Sequence, residues 1–100
     1  MTPEAKVKAK IRAYLASLPG VWYCQPIGGA YSSHGVPDIV GCVSGQMFAI
    51  EVKAPGKRGN TTPLQRMQLQ AIAAAGALSM VACDVEEVIA AFKEIGFHVD

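Results

Sequence analysis

Gly35-Val36-Pro37-Asp38-Ile39-Val40-Gly41-Cys42-Val43-Ser44-Gly45-Gln46-Met47-Phe48-Ala49-Ile50-Glu51-Val52-Lys53-Ala54 is the stretch on which the fold turns. Asp38 to Val43 and Met47 to Ala54 are apolar, β-branched-rich runs, and Ser44-Gly45 between them is a tight-turn signal. The segment therefore reads as an antiparallel hairpin. Side chains alternate across a strand, so Glu51 and Lys53 share one face while Ile50 and Val52 share the other. A hairpin of this length brings the start of its first strand beside the end of its second, which sets Asp38 next to Glu51 and Lys53. Two carboxylates and an amine converge at one end of strands otherwise built from Ile, Val, Phe and Ala.

Upstream, Thr2-Pro3 opens a helix with a capping hydroxyl and a proline where its missing N–H costs nothing. Val7, Ile11, Tyr14, Leu15 and Leu18 keep to one face of it, and Pro19-Gly20 ends it. Val21 to Gln25 reads as a short strand stopped by Pro26, with Trp22 and Tyr23 in the core or at an interface. Residues 28–35 form a polar, glycine-rich loop. Downstream, Pro55 to Asn60 is a basic loop, and Thr62-Pro63 repeats the helix start, with Leu64, Met67, Leu69 and Ile72 carrying it to Gly76. Leu78 to Cys83 is a fourth strand. Asp84-x-x-Glu87 opens a third helix over Val85 to Ile95, and the Phe97-His98-Val99 tail adds an edge strand or frays. The expected class is α/β, one domain over residues 1–100 in the order α-β-β-β-α-β-α, with a central mixed four-stranded sheet flanked by helices.

The 100 residues match one domain on the usual ~100–200 residues per domain. With 51% apolar and 17% charged residues, the chain is too hydrophobic for a disordered tail. A net charge of +1 gives no global field toward nucleic acid, so any basic footprint is local. Lys6, Lys8, Lys10 and Arg12 alternate over two sides of the first helix and read mainly as solvated flanks. Cys24, Cys42 and Cys83 are odd in number and lack a Cys-x-x-Cys pair, which argues against a disulfide framework or a zinc site and for a reducing compartment. No apolar run reaches the ~18–20 residues of a membrane span, and the basic Met1–Arg12 segment lacks the apolar region of a secretory signal.

Paired carboxylates suit a hard cation such as Mg2+, which keeps several waters and takes one or two protein carboxylates. A lysine beside them supplies positive charge and a proton-handling amine, which together equip a site to attack a phosphodiester. Glu4 precedes Val7, Ile11 and Leu15 on the stripe that the first helix turns to the sheet, so its carboxylate faces either the rim or the same pocket. Lys57 and Arg58 follow the site in a Gly-bounded loop suited to phosphate contact, and Tyr31, Ser32, Ser33 and His34 offer further groups for a DNA backbone.

These residues resemble a known family. Pro37-Asp38…Glu51-Val52-Lys53 matches the PD-(D/E)XK signature. Gly35-Val36-Pro37-Asp38, Glu51-Val52-Lys53-Ala54-Pro55, and Thr62-Pro63-Leu64-Gln65 before an Ala-rich helix ending Ala75-Gly76 look like the VRR-NUC domain. That family occurs as small stand-alone proteins in phages and bacteria and as the nuclease domain of a eukaryotic interstrand-crosslink repair enzyme. The resemblance covers about residues 4–83. It implies a restriction-endonuclease-like core and Mg2+ or Mn2+ held by Asp38, Glu51 and the Val52 carbonyl. Lys53 would activate the attacking water, Gln65 would point into the site, and Glu4 would reach the metal through water. Thr62 stands where the family has a serine, which keeps a hydroxyl. Arg66-Met67-Gln68 lacks the aromatic that often follows the glutamine. The resemblance implies a structure-selective DNA endonuclease, with a Holliday-junction resolvase as one form of it, working as a C2 homodimer in the cytoplasm of a bacterial or phage-infected cell. With no recognition helix or finger in the chain, branched or junction DNA is the expected partner. The rival expectations are a non-catalytic DNA-binding module and a nuclease subunit of a larger repair complex.

Overall fold

The structure is a computed structural model that describes residues 1–26 and 35–97. Helix α1 (Pro3–Ser17) starts where Thr2 Oγ1 accepts the Ala5 N–H at 3.1 Å, and it buries Val7, Ile11 and Leu15 in a single stripe. Strands β1 (Val21–Cys24), β2 (Ile39–Val43) and β3 (Gln46–Val52) follow, and then a single 3-10 turn at Arg58–Asn60. Helix α2 (Pro63–Ala74), strand β4 (Leu78–Ala82) and helix α3 (Val85–Glu94) complete the described elements. The β2–β3 turn has φ 48° at Ser44 and 86° at Gly45, the left-handed pair that matches the twist of a two-residue hairpin.

The sheet order is β1-β2-β3-β4, antiparallel through β3 and parallel between β3 and β4. The chain is thus α/β, with a mixed four-stranded sheet and three helices among the described residues. Several strand ends differ from the sequence expectation: β1 stops at Cys24 and not Gln25, β4 at Ala82 and not Cys83, and β3 begins at Gln46 and not Met47. Asp38 precedes β2, because the antiparallel register ends at Ile39–Ile50 and a side chain takes the next rung. Strand β3 ends at Val52, although Lys53 N–H still donates to the Ala82 carbonyl at 3.0 Å. Phe97 lies outside any strand, and His98 and Val99 fall outside the described residues.

One sheet face carries the main core. Ile39, Val43, Phe48, Ile50 and Val52 pack with Val7, Ile11 and Leu15 of α1 and Val88 and Phe92 of α3. Phe48 and Phe92 meet with ring centroids 5.1 Å apart, tilted by 59°, a favoured aromatic geometry. Gly41 lets this happen: a Cβ there would stand 2.7 Å from Phe48 Cζ and 2.2 Å from the Trp22 carbonyl oxygen. By alternation Ala49 and Glu51 face the other way, toward α2, whose Leu69 carbonyl accepts from Ser79 Oγ at 2.8 Å. Beyond α2 on that same face runs the row Trp22–Cys42–Met47. Tyr23 packs against the core, but Trp22 is 65% exposed. No helix among the described residues is long and apolar enough to cross a membrane.

Candidate active site

Asp38 sits where the backbone ladder between β2 and β3 stops. Its Oδ2 accepts the Val52 N–H at 2.8 Å, so a carboxylate replaces the carbonyl that the next rung would have used. In an extended strand a residue's N–H and C=O point to the same edge. The Val52 carbonyl therefore also faces the edge where Asp38 lies. Glu51, one residue back, turns to the α2 face and is only 4% exposed. Two donors meet its Oε2: Lys53 Nζ at 3.4 Å and Gln65 Nε2 at 3.1 Å.

Gln65 reaches Glu51 because of how α2 begins. Thr62 Oγ1 accepts the Gln65 N–H at 3.1 Å, and Gln65 Oε1 accepts the Thr62 N–H at 2.9 Å, a reciprocal capping box. With its oxygen committed to the helix start, the amide turns its NH2 group toward the carboxylate. Gly35 places this helix end. It has φ 82°, and a Cβ on it would lie 2.7 Å from the Leu64 backbone carbon. Only glycine lets the segment leading to Asp38 press this closely on α2.

Burial raises the Glu51 pKa to about 7, the negative charge and hydrogen bonding of Asp38 push the same way, and Lys53 opposes them. The carboxylate is therefore held against its preference for water by a fold that offers it one ammonium and one amide. A further contact had no counterpart in the sequence pattern. Lys8 of α1 extends its Nζ to 3.4 Å from Asp38 Oδ1. Four alternating basic residues gave no reason to single out this one.

The structure thus gathers Asp38, Glu51, Lys53 and Gln65, with the Val52 backbone between the carboxylates. Glu4 stands in the first turn of α1, one turn before Lys8. Among the described residues it makes no ion pair, and no three His, Cys, Asp or Glu side chains cluster. Arg58 is committed elsewhere: its guanidinium pairs with Glu87 of α3 and donates to the Val81 carbonyl of β4 at 2.6 Å. The Glu87 hydrogen bond, the main cause, raises the Arg58 pKa. Lys57 is exposed beside it. Tyr31, Ser32, Ser33 and His34 lie outside the described residues.

The donor set of two carboxylates and one strand carbonyl fits a hard, oxygen-seeking ion that retains its own waters, such as Mg2+ or Mn2+. It lacks the nitrogen and sulfur ligands of a structural zinc site. Protein-family models give no match to the chain, and curated proteins give none either.

Proposed function

We propose that this protein is a divalent-metal-dependent, structure-selective DNA endonuclease with a restriction-endonuclease-like core of the VRR-NUC kind. What supports the reading most is the meeting of Asp38 and Glu51 beside Lys53, where two carboxylates and an ammonium crowd the end of an apolar hairpin. Asp38, Glu51 and the Val52 carbonyl would hold Mg2+ or Mn2+. That ion supplies Lewis-acid polarisation of a phosphodiester and an acidified water. Lys53 orients the attacking water and stabilises charge building on the phosphate. Its own position is held by Glu51, and Gln65 keeps the Glu51 carboxylate from turning away. Lys57 contributes phosphate contact from the exposed loop.

Among the described residues no element is dedicated to reading bases, and the substrate on this reading is DNA shape, junction DNA in particular. A C2 homodimer would present two sites to such a branch, within a bacterial or phage-infected cell. The deciding experiment incubates the purified protein with Mg2+, Mn2+ or Ca2+ against junction, flap, duplex and single-stranded DNA. Cleavage of branched DNA with Mg2+ or Mn2+, little with Ca2+, and none after Glu51→Gln is the expected result. Turnover in chelator would reject the mechanism, and DNA binding without cutting under every ion would reduce the protein to a binding module.

A further inference from the structure

Asp38 has two carboxylate oxygens, and the fold assigns both. Oδ2 takes the Val52 N–H at 2.8 Å, and Oδ1 faces Lys8 Nζ at 3.4 Å. The two partners differ in how easily they can leave. Val52 N–H belongs to the backbone of β3, an interior strand paired on both sides, so that donor stays in place as long as the sheet does. Lys8 ends a flexible four-carbon stem on α1, and the ion pair is long, with side chains 27% and 25% exposed. Such a pair is weak and exchanges readily. A cation entering between Asp38 and Glu51 therefore takes Oδ1, the oxygen whose partner can move.

We infer that Lys8 is an internal competitor for the divalent cation, a tethered ammonium that occupies the Asp38 oxygen the ion requires and must swing out as the ion binds. This rests on the proposed metal site and adds to it a residue that sets how much free ion the site needs. Lys53 does not have this part. It is only 11% exposed, it shares the strand of Glu51, and its contact is with the other carboxylate. Nor do the other α1 cations. Arg12 donates to Gln25 Oε1 at 3.3 Å, and among the described residues Lys8 is the one basic side chain of α1 with a carboxylate partner. The positive charge next to Asp38 comes from a separate element, and α1 presents it from outside the sheet.

The test needs neither DNA nor turnover. Mn2+ alone is titrated into nucleic-acid-free protein, with bound ion followed by calorimetry or by the electron paramagnetic resonance of free Mn2+. Wild type is compared with Lys8→Met, Lys8→Arg and Asp38→Asn, each checked for folding by circular dichroism in chelator. Lys8→Met should bind Mn2+ about two- to fivefold more tightly, the upper figure corresponding to about 1 kcal/mol for a released ion pair. Lys8→Arg, which restores the charge, should stay near wild type, and Asp38→Asn should lose binding. Equal or weaker binding by Lys8→Met, with Asp38→Asn still defective, overturns the competition and leaves the metal site standing. Equal tightening in the Met and Arg variants also overturns it, because the effect would then lie in packing and not in charge. An absence of saturable Mn2+ binding in wild type and Lys8→Met alike removes the metal site itself, and the inference with it.

Discussion

Glu51 is pulled in two directions by its neighbours, and the sign of the result is measurable. Its pKa in the folded protein is raised from 4.5 to about 7, with burial as the leading cause. Below about pH 4.5 both folded and unfolded chains carry the proton. As pH rises through that value the unfolded chain releases it while the folded one retains it, so stability is lost until the folded group ionises near pH 7. A glutamine cannot ionise and keeps the amide contact with Gln65. In chelator, Glu51→Gln should match wild type near pH 4.5 and exceed it above pH 7 by up to about 3 kcal/mol, read from urea unfolding at both ends of that window. A glutamine variant less stable than wild type at pH 8 would mean that Lys53 and Gln65 more than offset burial. Gln65→Glu makes the companion case. A glutamate still closes the capping box onto Thr62 N–H, but it removes the donor facing Glu51 and adds a like charge. Helix α2 should form, while cleavage falls and the Glu51 pKa climbs further.

The elements deliver these side chains by close approach, and two predictions follow from how they touch. Gly35→Ala would force a Cβ to within 2.7 Å of the Leu64 backbone carbon at φ 82°, so stability should fall by about 2 kcal/mol or more, with α2 displaced and Gln65 drawn off Glu51. Wild-type stability and cleavage in that variant would contradict the close fit. Arg58 ties the loop after β3 to β4 and α3, so Arg58→Ala should cost about 1 kcal/mol in unfolding, and Lys57→Ala close to nothing. Only the Lys57 change should flatten the salt dependence of DNA binding, by about one log–log unit. At this scale the helices were legible because Thr-Pro starts, the Asp84 cap and the Pro19-Gly20 stop are local signals. The hairpin and the shared face of Glu51 and Lys53 followed from period-two alternation. The bonds of Lys8 to Asp38 and Arg58 to Glu87 span 30 and 29 residues, and nothing local distinguishes either cation from its basic neighbours. Sequence patterning sets Asp38 inside the strand, whereas its side chain stands in for a backbone acceptor just before it, which apolar patterning cannot reveal.

At the scale of the whole molecule, a chain of 10.5 kDa has little interior, and the row Trp22–Cys42–Met47 leaves apolar side chains on one sheet face, with Trp22 65% and Met47 47% exposed. The protein should sediment as a dimer of about 21 kDa, twice the 10.5 kDa chain. A strict monomer at micromolar concentration that cut junctions symmetrically would refute the dimer. The site itself is a long-range object: Lys8 and Asp38 precede the Ser44-Gly45 turn, whereas Glu51, Lys53 and Gln65 come after it. That turn is exposed and lies at a loop tip, the kind of place where a cut backbone is tolerated. A nick between Ser44 and Gly45 would put the two carboxylates on separate polypeptides, neither of which holds the proposed site alone. On the proposed function, cutting would return only when the halves pair, which makes this hairpin a natural seam along which that activity could be divided and switched.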